Sequence, residues 1–104
     1  MIVSGGENIY PAEIEHILQA HSAVAEVVVI GVPHPTWGET PQACVVAVPG
    51  RAIDEAALIA FARDRLARYK CPTSVRFMDA FPRNASGKVL KHELRAMVAD
   101  EVQA

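Results

Sequence analysis

The chain has 104 residues, 51% of them hydrophobic and 21% charged. That is enough for one small domain with a modest core, and too apolar for a disordered chain. A formal charge of −2 excludes the broad positive field that marks a nucleic-acid binder.

In chain order, MIVSGGEN reads as a short apolar strand followed by a double-glycine turn. Pro11 suits the first position of a helix, with Glu13 and Glu15 in its early turns and Ile14, Ile17 and Leu18 on one face. AEVVVIGV is β-branched and uninterrupted, the pattern of a buried strand. HPTWGETP, with two prolines and a glycine, is expected as a loop, and QACVVAV as the next strand, ended by Pro-Gly. Asp54 can cap a second helix whose apolar face is Leu58, Phe61, Ala62 and Leu66. YKCP breaks that helix, and SVRFMDAF reads as a longer strand. Ser86 can cap a last helix with Leu90, Leu94, Met97 and Val98 inward. The order is β-α-β-β-α-β-α, which predicts an α+β domain with a short antiparallel-type sheet packed by three helices. The chain begins inside a strand, so it is expected to be the tail of a longer protein.

The chemistry-bearing motifs are few. Cys44 and Cys71 stand apart with no CxxC, and Cys44 sits in an apolar run as a small core residue. His16, His21, His34 and His92 show no zinc-site spacing. No signal peptide or membrane-length apolar run is visible, and a cytoplasmic location is expected. The Ser-Gly-Lys of PRNASGKVLK is not a phosphate-binding P-loop, because Pro82 and Val89 stand where that motif needs Gly and Ser or Thr. Lys88 therefore has two readings. It is a solvated surface lysine, or it sits at a helix start where bare N–H groups beside a cation form a local anion site. Gly5-Gly6 also has two readings, a tight turn needing positive φ or a place where a ligand passes close to the backbone. The turn is the simpler of the two.

Four segments, MIVSGGENIYPAEIE, AEVVVIGVPHPTWGE, ARYKCP and FPRNASGKVLKHELR, carry a resemblance. In order and spacing they resemble the C-terminal domain of the acyl-adenylate-forming enzymes, specifically the AMP-forming acyl- and aryl-CoA ligases. The resemblance covers essentially the whole chain. It implies that residues 1–104 are a mobile catalytic lid, inactive alone, whose partner is its own N-terminal ATP- and acyl-binding domain. It implies two steps: a carboxylic acid and ATP give an acyl-adenylate, and coenzyme A then gives the thioester. ATP and coenzyme A are the implied cofactors, with Mg2+ arriving with ATP on the N-terminal domain. Lys88 matches the lysine that meets carboxylate and α-phosphate in the first step. Gly5 and Gly6 match the loop that faces the active site in the second, after the small domain has rotated. Trp37 and Tyr69 match positions that flank the nucleotide end of coenzyme A, or else pack. Lys70 is a candidate phosphate contact, while Cys71 stands where some relatives carry a further base. A fatty, aryl or small carboxylic acid would all fit. The competing reading is a stand-alone α+β binding or interaction module.

Overall fold

In the computed structural model, which describes the backbone of residues 1–103 and the side chains of residues 1–98, Gly5 and Gly6 take φ of 56° and 84°. Two consecutive positive φ values make the kind of tight turn that matches strand twist. The opening segment is accordingly a hairpin, β1 (Ile2–Ser4) against β2 (Glu7–Ile9). β2 went unread because Glu-Asn-Ile is too short and polar to signal a strand by itself. Helix α1 (Pro11–Gln19) starts on its proline and buries Ile14 and Leu18, leaving Ile17 half-buried.

β3 (Val24–His34) and β4 (Gly38–Ala47) form a long antiparallel hairpin, paired from Val24↔Ala47 to His34↔Gly38. The expected loop HPTWGETP is thus mostly strand, with only residues 35–37 in the turn. Pro35 falls in that turn, and Pro41 is tolerated within β4. Pro41 accepts at its carbonyl from the Thr73 N–H at 3.0 Å, so its ring nitrogen faces away from β3 and no ladder bond is lost there. Helix α2 (Glu55–Arg63) is capped as expected, the Asp54 carboxylate accepting from the Ala57 N–H at 2.8 Å. A short 3₁₀ turn over Arg68–Lys70 leads to β5 (Ser74–Phe77), which lies parallel to β4 in the register Gln42↔Ser74 to Val45↔Phe77. β5 is shorter than the expected SVRFMDAF strand, because the chain must leave the sheet for Phe81 to enter the core beside it. The sheet order is β2-β1-β4-β3, with β5 also paired to β4.

β3 explains its own unbroken apolar run. Val27 and Val29 point into one core with Ile14, Leu18 and Leu58, whereas Val28 and Ile30 point into another with Phe81, Leu94 and Val98. A strand covered on both faces alternates between two apolar environments rather than between core and water. The single modest core expected from length is therefore two. Ile14, Leu18, Leu58 and Leu94 are wholly buried, each contributing about 1.5–3 kcal/mol by area. Cys44 belongs to the second core and Cys71 to the first; both are free thiols. Burial pushes the Cys44 thiol up to about 11, against a small opposing effect from Arg76, so it stays neutral among its apolar neighbours.

Helix α3 (Lys91–Gln103) begins later than expected. Ser86 is not its cap: its hydroxyl donates to Asn84 Oδ1 instead, and the Leu94 N–H closes the first turn on the Leu90 carbonyl. Leu94 and Val98 face inward, but Met97, expected inward, is 42% exposed. On the outer sides of the sheet, Glu15 accepts from the Val29 N–H at 2.9 Å and Glu55 from the Val75 N–H at 2.7 Å. Backbone donors that no strand reaches are satisfied there by carboxylates. Among the described residues no helix is long and apolar enough to cross a membrane.

Candidate functional site

Lys88 sits in a clamped loop, not at a helix start. Arg83 and Val89 form an isolated antiparallel bridge, and residues 84–88 close between them. Asn84 organises the closure. Its Oδ1 accepts from the Ser86 N–H at 3.0 Å, the Ser86 hydroxyl at 2.8 Å and the Lys88 N–H at 3.0 Å. Its backbone donates to the Lys88 carbonyl and accepts from the Gly87 N–H, both at 3.0 Å. The Arg83 guanidinium donates to the Gly87 carbonyl at 2.8 Å and pairs with Glu26 on β3. The N–H groups that would have made the bare anion site are thus occupied, which corrects that part of the sequence argument. Gly87 is needed for its φ of 88°; an added Cβ would meet nothing within 4 Å. What the loop presents is the exposed Lys88 side chain, with no ion pair or hydrogen bond to its ammonium among the described residues.

The second candidate region is an open groove of about 660 Å³. It follows from a gap in the sheet. β1 bonds to β4 only at Ser4↔Gly38, and β5 joins β4 only from Gln42 onward. Along the stretch between, Ser4, Thr40 and Thr73 line the groove, the two threonine hydroxyls 3.1 Å apart. Gly5 and Trp37 come from the hairpin side, where the Gly5 N–H donates to the Trp37 carbonyl at 2.9 Å. The indole lies flat on His34, with centroids 4.2 Å apart and planes 8° from parallel. His34 Nδ1 in turn accepts from the N–H groups of Thr36 and Trp37, both at 3.1 Å. Tyr69 faces the groove from the 3₁₀ turn. Trp37 and Tyr69 are 47% and 46% exposed, so neither is a core residue.

Three of the residues singled out from sequence, Gly5, Trp37 and Tyr69, therefore meet in one groove. Gly6 does not line it and faces open space. Lys70 is turned aside, its ammonium 2.8 Å from Glu13, and the hydrogen bond to Glu13 holds it in the charged form. Cys71 lines the groove but is 6% exposed, its thiol pushed up by burial and lowered by the nearby Arg63. Lys88 lies elsewhere: its loop is tied to β3, whereas the groove runs along the opposite side of β4. Sequence reasoning missed Arg63 and Arg68, which also line the groove. Nothing local marks them; one ends α2 and the other opens the 3₁₀ turn. Among the described residues no group of three His, Cys, Asp or Glu could hold a metal ion.

Residues 13–88 match the family described as AMP-binding enzyme C-terminal domain. The chain is 50% identical over 98 residues to a 2-succinylbenzoate–CoA ligase of Geobacillus kaustophilus, covering 94% of this chain and 20% of that protein. It is 54% identical over 95 residues to a feruloyl-CoA synthase of an Amycolatopsis species, covering 91% and 19%. It superposes on the crystal structure of apo MatB from Rhodopseudomonas palustris with a TM-score of 0.90 at 45% identity, over 94% of this chain and 20% of that one. The chain thus spans about one fifth of the length of these relatives.

Proposed function

The chain belongs to the AMP-binding enzyme C-terminal domain family, and from that premise we propose that it is the mobile catalytic domain of an ATP-dependent acyl-CoA ligase. In this reading the ligase joins a carboxylic acid to the α-phosphate of ATP, releasing pyrophosphate. Coenzyme A then displaces AMP and leaves as the thioester. The observation that carries the reading is the unpartnered ammonium of Lys88, held out on a loop that Asn84 and Arg83 clamp. Bringing a carboxylate against a polyphosphate concentrates negative charge, and a cation fixed in advance stabilises that arrangement without reorganising. A lysine serves as a compact point charge for both anions. Mg2+ would accompany ATP on the preceding domain and neutralise further phosphate charge.

The groove containing Gly5 serves the second step, with coenzyme A running past the hairpin turn. The Lys88 loop is tied to β3 and the groove opens on the other side of β4, so in this reading the domain rotates between the two half-reactions to present each in turn. The reading puts the enzyme in the cytoplasm and leaves the acid, fatty, aryl or short, to the preceding domain.

Replacing Lys88 by Ala in the ligase that carries this domain is expected to slow adenylation by roughly 10²–10³. Thioester formation from synthetic acyl-adenylate should be nearly unchanged. Pyrophosphate exchange reads the first step and thioester release the second. Equal losses in both would sink the step-specific role, and no loss in either would make Lys88 an ordinary surface lysine.

A further inference from the structure

The opening hairpin is held to the rest of the sheet by little backbone. β1 pairs with β4 only at Ser4↔Gly38, and the Gly5 N–H adds one bond to the Trp37 carbonyl at 2.9 Å. One residue before Ser4, a side chain takes over from the ladder: the Glu39 carboxylate accepts from the Val3 N–H at 3.1 Å. On its way the carboxylate passes over Gly31 of β3. A Cβ at Gly31 would lie 2.9 Å from Glu39 Oε1 and 3.3 Å from Ile2 Cγ1. Gly31 has no positive φ, so alanine could adopt its backbone and the glycine is there for space. It lies on the same face of β3 as Val27 and Val29 and interrupts that row of side chains where Glu39 needs room. The turn at Gly5 and Gly6 has little packing of its own. An added Cβ at Gly6 would meet nothing within 4 Å, and one at Gly5 would meet only the Trp37 ring. Its orientation is therefore set by the strands that carry it.

We infer that Glu39, lying in the space left by Gly31, is a positioning residue for the second half-reaction: it fixes the hairpin whose turn coenzyme A passes. This rests on the ligase reading. The first half-reaction should be indifferent to Glu39, because the Lys88 loop is tied to β3 through Arg83 and Glu26 and not through β1.

The test uses the ligase that carries this domain. Glu39→Ala is expected to slow thioester formation from synthetic acyl-adenylate by roughly ten- to a hundredfold, the range from losing one hydrogen bond to a charged group to misplacing a binding element slightly. Pyrophosphate exchange should hold. Gly31→Ala should reproduce the effect, since a carboxylate at the end of a flexible side chain gives way to the added methyl more readily than the buried Ile2 does. Glu39→Gln keeps an acceptor for Val3 and should recover most of the rate. The double variant Gly31→Ala, Glu39→Ala should be no slower than the slower single one, because both remove the same bond. Hydrogen exchange at the Val3 amide should accelerate in both alanine variants and not in Glu39→Gln, and this readout does not depend on activity. An unchanged thioester rate in Glu39→Ala overturns the inference. So do losses that add in the double variant, a Gln variant as slow as the Ala one, or a fall in both half-reactions together. The ligase reading is judged separately, by pyrophosphate exchange in the wild type.

Discussion

A single oxygen of Asn84 accepts from three donors and so fixes the loop backbone from which Lys88 projects. Asn and Asp favour such turns because a short side chain can stand in for a backbone carbonyl. Asn84 does not touch substrate in this reading; it positions a residue that does. Asn84→Ala removes the acceptor and is expected to cost about 1–2 kcal/mol of loop order, given about 1 kcal/mol per net hydrogen bond. Adenylation should fall about tenfold or more with Lys88 intact, while thioester formation holds. Asn84→Asp keeps the acceptor and should restore most of the rate. Pyrophosphate exchange on the two variants distinguishes positioning from general damage, since an unfolded loop with no role would leave both rates alike.

At the scale of elements, α2 links stability to the groove. Its N-terminus is closed by Asp54, its middle buries Leu58 and Ala62, and its last residue is Arg63. Asp54→Ala should cost about 1 kcal/mol, lowering Tm by roughly 4–8 °C in a domain of this size; a thermal melt followed by circular dichroism reads it directly. A shift within error would mean that the Ala57 N–H finds water as good a partner as the carboxylate. This cap was legible in the sequence, as were Pro11 at the head of α1 and the Gly5-Gly6 turn, because each depends on chemistry within a few residues. The start of α3 was not. Ser86 has the right side chain for a cap, but Asn84 captures its hydroxyl first, and no local rule ranks those two bonds. The groove was half legible. Gly5, Trp37 and Tyr69 stood out through the family resemblance, but Arg63 and Arg68 gain meaning only once the gap between β1 and β5 brings them to the same surface. The Glu26–Arg83 pair that anchors the Lys88 loop spans 57 residues, and no reading of spacing finds it.

Across the whole molecule, the sheet carries a core on each face and a different candidate site on each side of β4. Two of its outer strands, β3 and β5, end at open sides, and there Glu15 and Glu55 sit on the N–H groups of Val29 and Val75. Those two carboxylates occupy donors that an added strand would otherwise use. An uncovered donor on a strand as β-branched as Val27-Val28-Val29-Ile30 is a template on which a second copy of the chain can lay its own strand. The double variant Glu15→Ala, Glu55→Ala should therefore remain folded yet form oligomers as its concentration rises, detectable by light scattering and sedimentation velocity. Glu15→Gln with Glu55→Gln keeps an acceptor over each N–H and should stay closer to monomeric. An Ala variant as monodisperse as the wild type would show that these glutamates serve the strands' own hydrogen bonding and nothing more.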